Sequence, residues 1–282
     1  MNTQNSATPK PIIEGNDALG ARKYDLILVA LENKIGTLTL YNPSHLNCLN
    51  HHLMEELTEA LGLLERHGAT VIIIRATSGS RVWSAGHDIN ELPAPRRDPL
   101  SYSDPLEILL RGVQDCPVPV IAMVEGSVWG GACDLCCSCD MVIASDKATF
   151  AMTPAKIGIP YNPSGLMHFV NHIGLNKAKE MFYTAQPVSA QEAHNNGFVN
   201  DIVPADQLEA FTYKRAAHIA ANAPLAVRAI KAQFRLLTRG ALIDAETAEH
   251  IQGIRRSVYD SEDYAEGIRA FKEKRPPQFT GK

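Results

Sequence analysis

The sequence predicts an α/β fold, a core of strand–helix units built on a largely parallel sheet, followed by a helical C-terminal part. Three observations predict it. Short apolar strand-like runs alternate with stretches of helical periodicity, the pattern of crossover units. Near Pro163 the pattern changes and helices dominate. Two strands end in glycine-rich junctions that lead into helices, as ligand-binding α/β sheets do. The chain has 282 residues, 45% of them hydrophobic, enough to bury the core of one large domain or of a domain with an appendage.

Taken in order, "DLILVALEN" and "KIGTLTLYN" are strand-like runs on either side of Asn33-Lys34, a turn signal. "NHHLMEELTEALGLLERHG" sets Leu53, Leu57, Leu61 and Leu64 on one helical face and stops at Gly68. "ATVIIIRAT" reads as a buried strand from Val71 to Arg75, and a helix follows near Pro105 to Asp115. "VPVIAMVEG" is the next strand, "WGGACDLCCS" a helix and "DMVIAS" a third buried strand. Beyond Pro163 come "LNKAKEMFYTA", "SAQEAHNNG", "DQLEAFTYKRAAHIAANA", "PLAVRAIKAQFRLLTRG" and "DAETAEHIQGIRRSVYDSEDYAEGIRAFKEK", all helical in pattern. The expected organisation is a flexible N-terminal arm over residues 1–20, a core over 21–205 and a helical region over 206–282. No internal repeat is visible.

The net charge of −4 carries no footprint for nucleic acid or an anionic membrane surface. No apolar run approaches the ~18 residues of a membrane span. The polar, proline-bearing N-terminus lacks the apolar segment of a secretory signal, so a cytoplasmic protein is expected. The six cysteines then read as reduced thiols. Four of them crowd "CDLCCSC", a composition that thiolate metal sites share. No second Cys or Cys/His pair closes such a site, and cysteine packs as a small hydrophobe. No metal is expected.

The junctions "VWSAGHDINEL" and "MVEGSVWGGACDL" carry the chemistry. Glycine lets backbone N–H groups approach a ligand closely, and at a helix N-terminus those groups are unpaired. Two such junctions side by side would hold one developing oxyanion between two N–H donors, each worth ~3 kcal/mol of transition-state stabilisation. Either cluster alone also reads as a tight turn. "GSVWGG" is neither a phosphate-binding loop nor a dinucleotide fingerprint. His87 is a candidate base or a backbone donor, and Asp88 a candidate ligand contact or helix cap.

"SAGHDI", then "EGSVWGGACDL", then "FAMTPAKIGIPYNPSG" resemble the crotonase (enoyl-CoA hydratase/isomerase) superfamily, over nearly the whole chain from about Asp25. The resemblance implies a spiral of ββα units with a helical C-terminal trimerisation region, and a CoA-thioester substrate. It assigns the oxyanion hole to the backbone N–H groups of His87 and Gly131. It assigns CoA contacts to Ala85, Gly86, Asp88 and Ile89, and the adenosine end to Phe271 and Lys274, often from a neighbouring subunit. Without it, Lys274 reads as a solvated surface charge, and Phe271 as helix packing with Tyr264 and Ile268. A homotrimer or a dimer of trimers is implied, with no nucleic-acid or membrane partner.

Members of the superfamily share a thioester enolate and differ in what forms or consumes it. Hydratases use two glutamates. Here Asp134 stands at the first position and Pro154 at the second, so one acid–base partner for adding water is missing. Within the superfamily, "VWSAGHDINELP", "RDPLSYSDPL", "MVEGSVWGGA", "MTPAKIGIPYN" and "IQGIRRSVYDSEDYAEG" are most similar to decarboxylating members. That implies conversion of methylmalonyl-CoA to propionyl-CoA, with malonyl-CoA as a second substrate and no cofactor apart from the CoA of the substrate.

Decarboxylation favours surroundings free of protein carboxylates and of cations that would pin the leaving carboxylate. The stretch from Thr149 to Gly165 holds no Asp or Glu. In it Tyr161 is a neutral donor suited to orienting a carboxylate without neutralising it, Thr153 helps to line the pocket, and Trp129 adds apolar bulk. A tyrosine packed in a turn, its hydroxyl on backbone, is the alternative for Tyr161. The rival functions are isomerisation, hydrolysis or weak hydration on the same fold, kept alive by Asp134. A non-catalytic CoA- or RNA-binding scaffold is a further rival, against which the missing basic stripe argues.

Overall fold

The computed structural model describes residues 24–93, 96–238 and 245–280. The expected arm over residues 1–20 lies outside the described residues. Strands β1 (Ile27–Glu32) and β2 (Ile35–Leu40) form a hairpin across Asn33 and Lys34, both at positive φ. That is the backbone a two-residue hairpin turn needs. Helix α1 (His51–Arg66) is capped by Asn50, whose side chain accepts from Leu53 N–H at 2.8 Å. Its stripe of Leu53, Leu57, Leu61 and Leu64 is buried.

From there the chain alternates between two sheets. Strands β3 (Val71–Ala76), β5 (Val120–Val124) and β7 (Met141–Ser145) join β1, β2 and β10 (Asp201–Val203) in a six-stranded sheet of order β1-β2-β3-β5-β7-β10. Strands β4 (Val82–Ser84), β6 (Ser127–Trp129) and β8 (Thr149–Ala151), with β9 (Val188–Ser189), form a four-stranded sheet of order β4-β6-β8-β9. Each pass gives one strand to either sheet and then a helix: β3 and β4 precede α2 (Pro105–Asp115), β5 and β6 precede α3 (Gly131–Ser138), β7 and β8 precede α4 (Pro163–Thr184). This is the ββα spiral that the motifs implied. Pairing is parallel apart from β1/β2 and β8/β9. Strands β3 and β5 are buried at every position, as expected where a parallel sheet is covered on both faces.

The C-terminal helices are α5 (Ala190–Asn195), α6 (Leu208–Ala220), α7 (Pro224–Thr238), α8 (Ala245–Tyr259) and α9 (Glu262–Lys272). The last two fold back over the strand ends. Buried Arg255 of α8 donates to Asp98 Oδ2 at 2.7 Å and to the Leu100 carbonyl at 3.2 Å. Buried Tyr264 of α9 donates to the Pro93 carbonyl at 3.2 Å. A Cβ placed on Gly267 would lie 2.3 Å from the Ile157 carbonyl oxygen, so α9 rests on backbone beside the site.

The cysteines of "CDLCCSC" are buried along and just after α3, within the apolar core. The Cys133 thiol donates to the Val128 and Ala151 carbonyls and that of Cys139 to Leu135. Burial pushes all four thiols up, so they stay protonated and pack as hydrophobes.

Candidate active site

The two glycine junctions meet because β4 and β6 run parallel, pairing Val82 with Ser127 and Ser84 with Val128. Their carboxyl ends therefore emerge side by side. Gly86, at φ 84, lies so close to the second junction that a Cβ there would stand 2.3 Å from the Trp129 carbonyl oxygen and 3.3 Å from Gly131 N. Only glycine fits that conformation and that approach.

Leu49 sets the direction of the first donor. Its N–H donates to the Gly86 carbonyl at 2.8 Å and its carbonyl accepts from Asp88 N–H at 3.2 Å. This one-residue parallel bridge pairs Leu49 with His87. In such a bridge the middle residue directs its own N–H to the other side. Gly131 begins α3, where the first N–H groups lack helical partners. A Cβ built on Gly131 would lie 3.6 Å from His87 N, so the two donors are neighbours. Among the described residues neither N–H donates to a protein acceptor. The imidazole of His87 has Nδ1 on the Asp88 carbonyl at 3.0 Å, while buried Nε2 lies 3.6 Å from Asp104 Oδ1, beyond hydrogen-bond reach. Burial opposes its charging, and Asp104 outweighs burial, so its pKa is raised.

Two adjoining cavities open here. The outer one, ≈ 480 Å³, is lined by Ala85, His87, Asp88, Ile89, Thr153 and Phe271 together with Trp129 and Cys48. The inner one, ≈ 70 Å³, shares Ala85, His87, Ile89 and Thr153, and adds Gly131, Pro154 and Tyr161 in a wall of leucine and isoleucine. Asp88 also caps the short 3-10 helix after it, accepting from Asn90 N–H at 2.9 Å. Asp88 thus both caps that helix and lines the outer cavity. Gly86 serves through its turn. Lys274 is exposed and lines neither cavity; Lys156 and Arg275 supply the cations of the outer one. Lys274 takes a left-handed turn (φ 54), and within this one chain it stands as the solvated surface charge that the charge run suggests. Phe271 reaches the cavity of its own chain.

Tyr161 corrects a second expectation. The stretch without acids is packed against two of them. Its hydroxyl donates to Asp134 Oδ2 at 2.6 Å, neither to backbone nor into a space free of carboxylates. The other Asp134 oxygen is 2.6 Å from His168 Nδ1. Gln114 Nε2 lies 2.8 Å from His168 Nε2 and 3.3 Å from Ser138 Oγ. Next door, Glu107 accepts from Asn162 Nδ2 at 2.5 Å and Ser164 Oγ at 3.0 Å. Asn162 also caps α4, accepting from Gly165 N–H at 2.9 Å. A Cβ on Gly165 would collide with the Tyr161 ring at 2.2 Å and with Asp134 Oδ2 at 2.7 Å, so this glycine admits α4 to the network.

Asp134 and Glu107 are both buried, yet neither lines either cavity. The acids stand behind the wall, and Tyr161 is the wall. Burial and the Asp134 carboxylate push the Tyr161 phenol well above its usual range, so it remains a neutral donor. Burial opposes a charged His168, and Asp134 outweighs it, raising its pKa. Burial raises Glu107 despite its hydrogen bond from Asn162. Nothing in the linear pattern pointed to His168, Gln114 and Glu107, since Gln114 and Glu107 come from α2 and His168 from α4, and no spacing joins the two helices. The one signal was Ser164 and His168 at i and i+4, flanking the buried Gly165 and Phe169.

The sequence of an enoyl-CoA hydratase/isomerase family model matches residues 30–282. A methylmalonyl-CoA decarboxylase of Escherichia coli is 45% identical over 258 residues, 92% of this chain and 99% of that one. A probable enoyl-CoA hydratase of Mycobacterium leprae is 33% identical over 265 residues, 92% of this chain and 99% of that one. A solved methylmalonyl-CoA decarboxylase in complex with 2-nitronate-propionyl-CoA superposes with a TM-score of 0.91 at 45% identity, covering 92% of this chain and 100% of the other. With its ββα spiral, its paired inward N–H groups and this coverage, the chain belongs to the enoyl-CoA hydratase/isomerase family.

Proposed function

We propose that the protein is a carboxy-lyase that converts methylmalonyl-CoA to propionyl-CoA, and malonyl-CoA to acetyl-CoA, through a thioester enolate. The observation that carries this reading is the inner cavity. Two N–H donors and one phenol reach it, and no carboxylate lines it among the described residues. Adding water to an enoyl thioester calls for acid–base partners facing the substrate. Pro154 lines the cavity in the place of the second one, and Asp134 is held behind Tyr161.

In the proposed reaction the thioester oxygen sits between His87 N–H and Gly131 N–H. The substrate carboxylate points into the inner cavity, turned out of the thioester plane so that the breaking C–C bond overlaps the carbonyl π system. Tyr161 orients it by donation without supplying a positive charge. The electrons of that bond flow into the thioester, carbon dioxide leaves, and the two N–H groups stabilise the enolate oxyanion. A proton at the α-carbon completes the product. The thioester is itself the electron sink, so the proposed reaction calls on no metal, biotin or nicotinamide. The CoA chain runs along Ala85, Asp88 and Ile89 in the outer cavity towards Phe271, with Lys156 and Arg275 near its phosphates. Similarity to the methylmalonyl-CoA decarboxylase of Escherichia coli supports the substrate.

Incubation with methylmalonyl-CoA and, separately, with crotonyl-CoA, followed by mass analysis, tests this. Propionyl-CoA from the first and no water adduct from the second is expected. Hydration of crotonyl-CoA with methylmalonyl-CoA untouched would refute it.

A homotrimer or pair of trimers in the cytoplasm is part of the same reading. Exposed Leu225, Phe234 and Leu237 on α7, at 80%, 65% and 77%, are apolar surface that self-association would cover. No helix among the described residues is long and apolar enough to cross a membrane. Light scattering on the purified protein is expected to give a trimer or hexamer mass; a monomer would remove this part of the proposal.

A further inference from the structure

Tyr161 has one hydroxyl proton, and Asp134 holds it. A substrate carboxylate in the inner cavity must compete for that proton with a fully buried Asp134. If the hydroxyl simply turned away, an ionised carboxylate would be left without a donor in a dry place, which is costly. The second Asp134 oxygen resolves this. It meets His168 Nδ1 at 2.6 Å, and among the described residues Tyr161 and His168 are its two side-chain partners. Placing the proton of that contact on Nδ1 lets Asp134 accept from both partners.

We propose that His168 is a positioning residue for decarboxylation: by donating from Nδ1 to Asp134 it lets the Tyr161 hydroxyl turn from Asp134 to the substrate carboxylate and return after carbon dioxide leaves. No proton changes owner in this step; a hydrogen bond changes acceptor. His168 can do this because it is held at both ends. Gln114 of α2 approaches Nε2 at 2.8 Å and is itself fixed by Ser138 of α3 at 3.3 Å. The groups facing the imidazole are thus Asp134 from α3 and Gln114 from α2, with Ser138 behind Gln114, the Glu107 charge nearby on α2 and the Tyr161 phenol beyond Asp134. The inference rests on the proposed decarboxylation, and its test separates the two.

The ligand-free readout is nitrogen-15 NMR of the imidazole. Nδ1 of His168 is expected to carry a proton at every pH at which the protein is folded. A bare Nδ1 would mean that Asp134 donates, and would overturn the proposal whatever the enzyme does. The kinetic readout is a double-mutant cycle on the decarboxylase activity. His168→Leu is expected to lower kcat about tenfold with KM little changed, and to have less than about a twofold effect once Tyr161 is phenylalanine. His168→Asn, whose amide N–H takes the place of Nδ1–H, is expected to keep most of the activity. If His168→Leu costs the same factor with or without the Tyr161 hydroxyl, or if His168→Asn is as damaging as His168→Leu, His168 does not act through Tyr161. Absence of propionyl-CoA formation by the unaltered protein would refute the reaction, while the NMR measurement would still decide the state of Nδ1.

Discussion

The hydroxyl of Tyr161 donates to Asp134 across 2.6 Å, and Asp134 is fully buried, so the phenol at the inner cavity is anchored from behind by an acid that lines neither cavity. The phenol is thereby presented as a neutral donor, and its depressed acidity keeps it so.

Removing the hydroxyl alone leaves the ring packing against Phe182 in place. Tyr161→Phe is therefore expected to fold normally and to lower turnover at least about tenfold, equivalent to ~1.4 kcal/mol. Steady-state kinetics on methylmalonyl-CoA check this. Unchanged turnover would remove Tyr161 from the mechanism.

Pro154 lines the inner cavity and begins the 3-10 helix Pro154–Ile157. A carboxylate introduced there faces the substrate carboxylate at close range in poorly screened surroundings. Pro154→Glu is expected to reduce decarboxylation by about tenfold or more, with thermal unfolding serving as the control for folding. A variant with full activity would show that the acid-free lining is incidental.

Gly86 combines a φ of 84 with the close approach to the Trp129 carbonyl. Gly86→Ala is expected to destabilise the fold by more than ~1 kcal/mol and to abolish turnover, since any relief moves His87 N–H away from Gly131. Chemical denaturation with parallel assays measures both. Wild-type stability and activity would contradict the description of the junction.

The imidazole of His168 has its pKa raised in the folded protein, with Asp134 outweighing burial. A group whose folded pKa lies above its unfolded value of about 6.5 adds stability below that value and loses it as pH rises through the folded pKa. The stability advantage of the wild type over His168→Asn is thus expected to be largest near pH 5 and to shrink towards about pH 9. Urea titrations across that range check the sign. An advantage that grows with pH would mean the raised pKa is wrong.

Much of this was legible in the chain. The leucine stripe of α1, the Asn33-Lys34 hairpin and the buried strands from Val71 and Val120 carry local periodicity that tertiary packing only reinforced. The strands β4, β6 and β8 have three residues each and show no periodicity of their own, so the second sheet came from resemblance. His87, Gly131 and Tyr161, named from the motifs, all line the inner cavity. Their motif context said nothing of what stands behind Tyr161. Asp134, His168, Gln114 and Glu107 converge from three helices, and a contact between residues 27 or 54 positions apart leaves no mark in a linear pattern. Lys274 lies exposed beside Arg275, which lines the outer cavity, and a charge run does not tell such neighbours apart.

The central claim is that a carboxylate leaves from an enolate-forming thioester in a cavity without acids. Incubating the protein with methylmalonyl-CoA in deuterium oxide and weighing the products tests it most directly. Propionyl-CoA that has lost carbon dioxide and gained one deuterium at the α-carbon is expected. Recovery of methylmalonyl-CoA with no propionyl-CoA formed would contradict it.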